Sequence, residues 1–430
     1  MMKRRVTQAA TRSWLTHLKW LTPGLGVKRW LLFLALGVGL LSLGGALALR
    51  AFYPLPQYFY YLTLQFLPRA LRAGLFLVLG IGIISYGVWG FNHTMLAPFV
   101  TGTPATSIPE MLFDFRRRGR GPRVVVIGGG HGQATCLRGL KAFTSNLTAI
   151  VTVADDGGSS GRLRRDMGIL PPGDFRNCIA ALANDESLVT RLFQYRFADG
   201  RDLGGHSFGN LFIGAMAGIT GSFESALRES SQVLAVQGRV LPSTLVAVTL
   251  CADVEKPDGA VVRVQGESGI PEARGRVLRV MLEPGTPPAY PGAIQAILAA
   301  DLVVIGPGSL YTSILPNLLV AEIVEALQAT AALKVYVCNV ATQYGETEGY
   351  SALAHLQALE QHLGADIVDV MLVNTHVPRS QLSGEGVAWV RADLAEATAE
   401  RTIYADLASD SEPGRHDCDQ LAHALMALVK

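Results

Sequence analysis

The chain has 430 residues, of which 49% are hydrophobic and 17% charged. This composition excludes a disordered polar chain, a coiled coil and a highly charged nucleic-acid-binding tail. The net charge of +2 conceals an asymmetry, because residues 1–109 contain ten Lys and Arg residues and no Asp or Glu. Residues 110–430 hold 27 basic and 35 acidic residues, a net charge of −8. We therefore expect no nucleic acid as a partner of this acidic body.

Two uncharged apolar segments, 30–49 and 73–91, predict a transmembrane hairpin. Twenty helical residues rise about 30 Å, which matches the hydrocarbon core of a bilayer. Basic residues lie before, between and after the segments, so the positive-inside rule places both ends in the cytoplasm. The alternatives are a cleaved signal peptide, whose apolar core is usually shorter, and two buried core helices. We expect an uncleaved anchor in the bacterial inner membrane, with the folded body in the cytoplasm.

Residues 92–122 predict a linker, since four prolines interrupt any helix and a basic RRRGRGPR run interrupts the apolar pattern. The basic run suits either attraction to anionic lipid or a solvated tether. The expected organisation is a basic cytoplasmic N-terminus over 1–29, a membrane hairpin over 30–91, this linker, and a folded domain over 123–430.

Beyond Arg123, short apolar runs alternate with amphipathic or Ala-rich segments, which predicts an α/β fold. We expect a Rossmann-like, doubly wound and mostly parallel sheet, which binds ligands at the carboxyl ends of its strands. The predicted strands are Val124–Ile127, Thr148–Val153, Leu245–Cys251, Leu302–Ile305, Val335–Val340 and Ile367–Val373. The predicted helices are Gln133–Phe143, Asn210–Gly218, Phe223–Ala235, Ala293–Ala299, Leu318–Ala329 and Ser351–Leu363.

The glycine loop Gly128–Gly132 separates the first strand from the first helix. Glycines let backbone approach a phosphate, and the helix start offers free N–H groups and a positive dipole end. A dinucleotide fingerprint is absent, because Gln133 stands where its third glycine belongs. The loop therefore suits an anion without indicating NAD, although a tight turn would also need glycine.

Acidic and hydroxyl residues follow the later strands. Asp155 and Asp156 end the second strand, where this fold class places an acid that holds a sugar hydroxyl or a metal. Asp174 is a candidate N-cap of the next helix. Further polar loops cover 204–210, 306–313 and 339–347. Several such loops at one sheet edge favour a single pocket over unrelated turns.

The segments TAIVTVADDGGSSGRLRRDMGILPPGDFRNCIAAL, GGHSFGN and ADLVVIGPGSLYTSILPNLLV resemble the gluconeogenesis factor family (YvcK-like). That family is related to the 2-phospho-L-lactate transferases (CofD-like), and the resemblance covers about 123–375. It implies a Rossmann-like homodimer that binds a nucleotide-sugar such as UDP-N-acetylglucosamine. The implied function is regulation of carbon metabolism and cell-envelope morphogenesis, and so of cell shape.

The resemblance and the loops together give the expected ligand-binding residues. They are Gly128, Gly129, Gly130, His131, Gly132, Asp155, Asp156, Gly157, Gly158, Ser159, Asn177, His206, Asn210, Gly306, Gly308, Ser309 and Arg415. Two positions depart from the family pattern, which usually has Thr at His131 and often has Tyr at Leu382. A Tyr that stacked on uracil would contribute about 1 kcal/mol, so its absence bears on ligand identity.

Five cysteines without a CxxC pair indicate neither a disulfide framework nor a zinc site. We expect no metal, no certain cofactor and a regulator rather than an enzyme. The alternative is a transferase in which Asp155 and Asp156 hold magnesium against a diphosphate while a hydroxyl attacks phosphorus. An NAD oxidoreductase ranks third because the fingerprint is absent, and a purely structural anchor ranks last.

Overall fold

A computed structural model describes most of the chain beyond residue 116. The described residues are 35–36, 38–39, 42, 60–61, 64–96, 117–183, 188–198, 203–364, 367–378, 382, 386–393 and 400–429, without the side chains at 77, 83, 86–96, 188 and 189. The chain divides into two compact units, Met1–Arg116 and Arg117–Lys430. The predicted span 30–49 and the linker 92–122 lie mostly outside the described residues.

The first unit contains helix α1, Arg69–Leu96, which includes the second predicted span. Seven of its apolar side chains are 44–73% exposed, namely Leu71, Leu75, Phe76, Val78, Leu79, Ile81 and Ile84. Over the described residues no single helix qualifies by length and hydropathy as a membrane span. The bent pair Leu310–Leu318 and Ala321–Ala329 qualifies together, but its large side chains belong to the core of the second unit. The transmembrane hairpin stays a prediction.

Among the described residues of the second unit, ten strands form two sheets. They are β1 Val124–Gly128, β2 Leu147–Val151, β3 Arg239–Pro242, β4 Thr249–Glu255, β5 Val261–Gln265, β6 Arg276–Glu283, β7 Leu302–Ile305, β8 Leu333–Val337, β9 Val370–Asn374 and β10 Thr402–Ala405. Seven of them form one sheet in the order β10-β9-β8-β7-β1-β2-β3, and all of its neighbours pair in parallel. The predicted α/β fold with a mostly parallel sheet is confirmed.

Helices connect and cover these strands. They are α2 Gly130–Leu140, α3 Gly158–Met167, α4 Gly173–Leu182, α5 Leu188–Gln194, α6 Phe208–Thr220, α7 Phe223–Val233, α8 Gly269–Glu272, α9 Pro291–Leu298, α10 Leu315–Leu318, α11 Ala321–Ala329, α12 Ala352–Leu363 and α13 Cys418–Ala427. Strands β1, β2 and β7 are buried along their whole length. The strands are buried because helices cover both faces of a parallel sheet. This burial explains why the sequences of these strands are continuously apolar.

The predicted strand Leu245–Cys251 overlaps β4 only from Thr249, and its expected place in the parallel sheet was wrong. The third strand of the parallel sheet along the chain is β3. The apolar residues 245–251 form the turn after β3 and the first residues of β4. Strand β4 instead pairs antiparallel with β5 and β6 in a separate three-stranded sheet. Asp174 is not an N-cap either, because α4 begins at Gly173 after Pro172 and Asp174 lies in its first turn.

The chain reverses its direction of travel across the sheet at β1. Strands β2 and β3 follow on one side of β1, whereas β7 to β10 follow on the other. Loops leaving adjacent strands at such a switch point turn in opposite directions and open a crevice at the carboxyl edge. The fold therefore places the loops after β1 and β7 at the position where doubly wound sheets bind ligands.

Candidate functional site

A cavity of about 500 Å³ occupies this crevice. Its walls come from the loops after β1, β7 and β8 and from the segment before α13. Seven of the expected residues line it together, namely Gly129, Gly130, His131, Gly132, Gly308, Ser309 and Arg415. Gly128 and Gly306 lie at the strand ends directly behind these loops.

The first glycine loop is held by close contacts. Asp174 accepts a hydrogen bond from the Gly130 backbone N–H, and a Cβ at Gly129 would lie 2.6 Å from the Asp174 Oδ2 atom. A Cβ at Gly132 would lie 2.6 Å from the Pro307 carbonyl oxygen. Both glycines are required because the two loops and Asp174 leave no room for a side chain.

The start of α2 is open to an anion. Its cap residue Gly129 supplies no side-chain hydrogen bond and Asp174 accepts only the Gly130 N–H, so the first turn keeps its following backbone N–H groups for a ligand. Gln133 stands at the position of the third glycine of a dinucleotide fingerprint, and its side chain makes structural hydrogen bonds there. Its Nε2 atom donates to the carbonyl oxygens of Val126 and Ile150 at 2.8 and 2.9 Å. The buried Gln133 amide thus joins β1 to β2 where a glycine would let the helix pack closer.

Cationic groups act on one side of the crevice. Arg415 lies at the rim, half-exposed, with a 3.1 Å contact from its guanidinium to Glu412. Desolvation, together with Arg415 and the buried Arg176, lowers the pKa of His131. Burial lowers the pKa of His416 to about 4, and its Nε2 atom lies 3.2 Å from the Cys338 carbonyl oxygen. Both histidines are neutral at pH 7, so the positive field comes from the arginines.

Carboxyl groups also face the crevice, and Asp174 among them contacts the start of α2. Asp174 and Glu267 line the cavity, and the Asp155 carboxylate is within hydrogen-bonding range of Glu267. Burial, followed by repulsion from Asp155 and Asp174, raises the pKa of Glu267 far above its usual range. At neutral pH Glu267 therefore holds a proton and donates it in a hydrogen bond to Asp155. With that proton engaged, the oxygens of Glu267 and Asp174 that face the cavity are left as acceptors for ligand hydroxyls.

Asp155 and Asp156 do not act as a pair. Asp155 Oδ1 accepts the Gly157 N–H at 2.9 Å, whereas Asp156 Oδ1 accepts the Ser268 N–H at 3.0 Å. Asp156 thereby holds the loop that presents Glu267. In the part of the chain that the structure describes, no group of three His, Cys, Asp or Glu side chains is arranged to hold a metal. The donor set around these aspartates does not fit a shared magnesium ion.

Other expected residues form a buried polar cluster that does not line the cavity. Ser159 Oγ lies 2.9 Å from His206 Nδ1 and accepts from Asn210 Nδ2 at 3.1 Å. Arg176 donates to Asn177 Oδ1 at 2.8 Å and to the Ser207 hydroxyl. Gly157 and Gly158 begin α3 beside them. These residues support Asp174 and Asp155 from behind, because Arg176 acts electrostatically on both carboxyls.

The last wall of the cavity is apolar. Val340, Ala341 and Ala408 form a small core against which Leu382 and Val387 pack, together with Trp389. Leu382 and Val387 also line the crevice cavity. The crevice thus places backbone N–H groups, carboxyl groups and an apolar surface around one space.

Comparison with known proteins places this site in a family context. Residues 124–408 match the family described as 2-phospho-L-lactate transferase CofD. The gluconeogenesis factor of Bacillus subtilis is 48% identical over 73% of this chain and 99% of its own length. A Nostoc protein assigned provisionally to the gluconeogenesis factors is 42% identical over 95% of this chain and 91% of its own length. A solved Bacillus halodurans structure, described as a UPF0052 family member, has a TM-score of 0.65, with 44% identity over 71% of this chain and 99% of that one.

The Asp174 carboxyl makes folding depend on pH. Burial and the neighbouring Asp155 raise its pKa to about 6, so the folded protein binds this proton more tightly than the unfolded chain does. The difference in the free energy of unfolding between wild type and the D174N variant therefore favours wild type most below about pH 4. This advantage is lost as pH rises towards 7. We expect that difference in the free energy of unfolding to fall by about 2 kcal/mol, measured by urea denaturation at both pH values.

The matched control is D301N. Arg123 lowers the pKa of Asp301. The advantage of wild type over D301N in the free energy of unfolding is therefore lost as pH falls, in the direction opposite to that of D174N. A wild-type advantage over D174N that stays flat or grows with pH would contradict the assignment.

Proposed function

Because the chain belongs to the 2-phospho-L-lactate transferase CofD family, among its gluconeogenesis factors, we propose that it is a regulator that binds a nucleotide-sugar. One observation carries this proposal. The crevice at the β1–β7 switch point combines an uncapped helix start, a rim arginine, a carboxyl pair and an apolar wall. A volume of about 500 Å³ falls within the range of small-molecule sites.

Each wall of the crevice suits one part of such a ligand. The diphosphate would lie against the first turn of α2, with Arg415 supplying charge-assisted hydrogen bonds. The sugar hydroxyls would face Glu267 and Asp174, and the base would pack on Leu382 and its neighbours. UDP-N-acetylglucosamine has this composition, and its concentration would report the supply of carbon to the cell envelope.

The transferase alternative has one observation in its favour, which is the family match itself. Against it, the Asp156 carboxylate accepts a backbone N–H and holds the Glu267 loop. Incubating the protein with GTP, magnesium and a deazaflavin acceptor distinguishes the two functions. Release of GMP would contradict the regulator function and support a phosphotransferase.

We also propose that the first unit tethers the protein to the inner membrane and that the second acts in the cytoplasm. Support comes from the uncharged segments 30–49 and 73–91 and from the exposed apolar side chains of α1. Leaving these side chains in water would cost about 25 cal/mol for each Å² of apolar surface. A bilayer removes that cost.

Nucleotide-sugar binding should depend on Arg415. We expect full-length protein to bind UDP-N-acetylglucosamine in calorimetry, and R415A to bind it about ten-fold or more weakly, because a charge-assisted hydrogen bond contributes about 1.5–3 kcal/mol. The control is R391A, which removes another exposed arginine near an aspartate outside the cavity lining. Absence of heat at millimolar ligand with wild type would refute the proposal.

The tether should determine where the protein fractionates. We expect wild type to sediment with membranes and to resist extraction by high salt, which releases proteins held only by charge. A variant lacking 30–91 should remain in the soluble fraction. Exchanging the arginines of 116–123 for glutamine serves as the control, since it removes lipid attraction and keeps the spans. Wild type in the soluble fraction would contradict the tether.

A further inference from the structure

A second cavity, of about 540 Å³, lies outside the crevice in the same unit. Its walls come from the β4–β5 turn, the segment before β6 and the loop 344–350. None of the residues that line this cavity also lines the crevice. Its residues have no part in the nucleotide-sugar site proposed above.

Two of the three cationic side chains that line this cavity have no acidic partner among the described residues. Among the described residues neither Lys256 nor Arg274 has a carboxylate within ion-pair distance. The Lys256 ammonium group donates to the Ala273 carbonyl oxygen, and the Arg274 guanidinium carbon lies 5.9 Å from the centre of the Tyr344 ring.

The acidic side chains that line the cavity are engaged or buried. Glu255 faces Arg276 at 3.9 Å, and Glu348 accepts the Gly345 N–H at 3.2 Å. Glu346 is 8% exposed and accepts from the Thr312 hydroxyl, while burial raises its pKa to about 7. Lys256 and Arg274 are therefore the cationic groups of this cavity that no ion pair engages among the described residues.

The backbone of Arg274 supports a role for its side chain. Its φ of +49° lies in the left-handed region, which costs a non-glycine residue about 1 kcal/mol or more. Glycine would satisfy this turn without strain, and the next residue, Gly275, packs against the Glu255 carbonyl oxygen. The strained backbone holds the Arg274 side chain at the edge of this cavity.

We propose that this cavity is a second ligand site, which takes a small phosphate-bearing molecule. A planar guanidinium and an ammonium group together match the charge and the several acceptor oxygens of a phosphate dianion. The half-buried Tyr344, beside Arg274, provides a surface for the rest of the molecule. The site is independent of the ligand that the crevice takes.

Inorganic pyrophosphate is a suitable probe, provided that binding in the crevice is separated from binding here. We would titrate full-length wild type, R415A, R274G and R228A by calorimetry. Glycine at 274 removes the charge and suits the left-handed backbone, so R274G should keep the wild-type melting temperature. R228A removes an exposed arginine that lines neither cavity and controls for net charge.

We expect R415A and R228A to retain one saturable pyrophosphate site, and R274G to weaken that site about ten-fold or more. K256A should weaken it in the same direction. The proposal is overturned if R415A shows no saturable pyrophosphate binding, or if wild type binds no pyrophosphate at millimolar concentration. It is also overturned if the affinity of the second cavity for pyrophosphate is the same in R274G as in R415A.

Discussion

The contact between the loops after β1 and β7 is the constraint on which the rest of the site depends. A side chain at Gly132 would meet the Pro307 carbonyl oxygen, and one at Gly129 would meet Asp174. Because both positions lack a side chain, the loops close the base of the crevice and leave the first turn of α2 facing into it. The cavity, its anion site and the position of Asp174 all follow from that approach.

The small antiparallel sheet completes the site from a distance in sequence. Strands β4 and β5 carry the loop with Gly266 and Glu267 back to the edge of the parallel sheet, where Asp156 holds it through the Ser268 N–H. Glu267 then shares a proton with Asp155 beside Asp174. One fold thus places N–H groups, an arginine and carboxyl groups around a single cavity, which suits a ligand with both phosphate and hydroxyl groups.

Apolar periodicity was enough to predict the parallel sheet, since β1, β2 and β7 are buried on both faces. The glycine loops were predictable as well, because glycine at a strand end has few other uses. Glu267 could not be found in this way, as its partner Asp155 lies 112 positions earlier and only tertiary structure joins them. For the same reason the sequence did not predict the role of Asp156. It did not predict the antiparallel sheet either, because apolar and polar residues alternate only weakly along its strands. Ser159, His206 and Asn210 contact one another and Asn177 contacts Arg176, and none of the four lines the cavity.

Hydrogen exchange of the full-length protein, with and without millimolar UDP-N-acetylglucosamine, tests the central claim most directly. The account predicts slower exchange of the backbone amides in 129–133 and 308–310, since the ligand's diphosphate would accept from the first turn of α2 and cover the loop after β7. Exchange that is unchanged in both loops while the ligand is present at saturating concentration would contradict it.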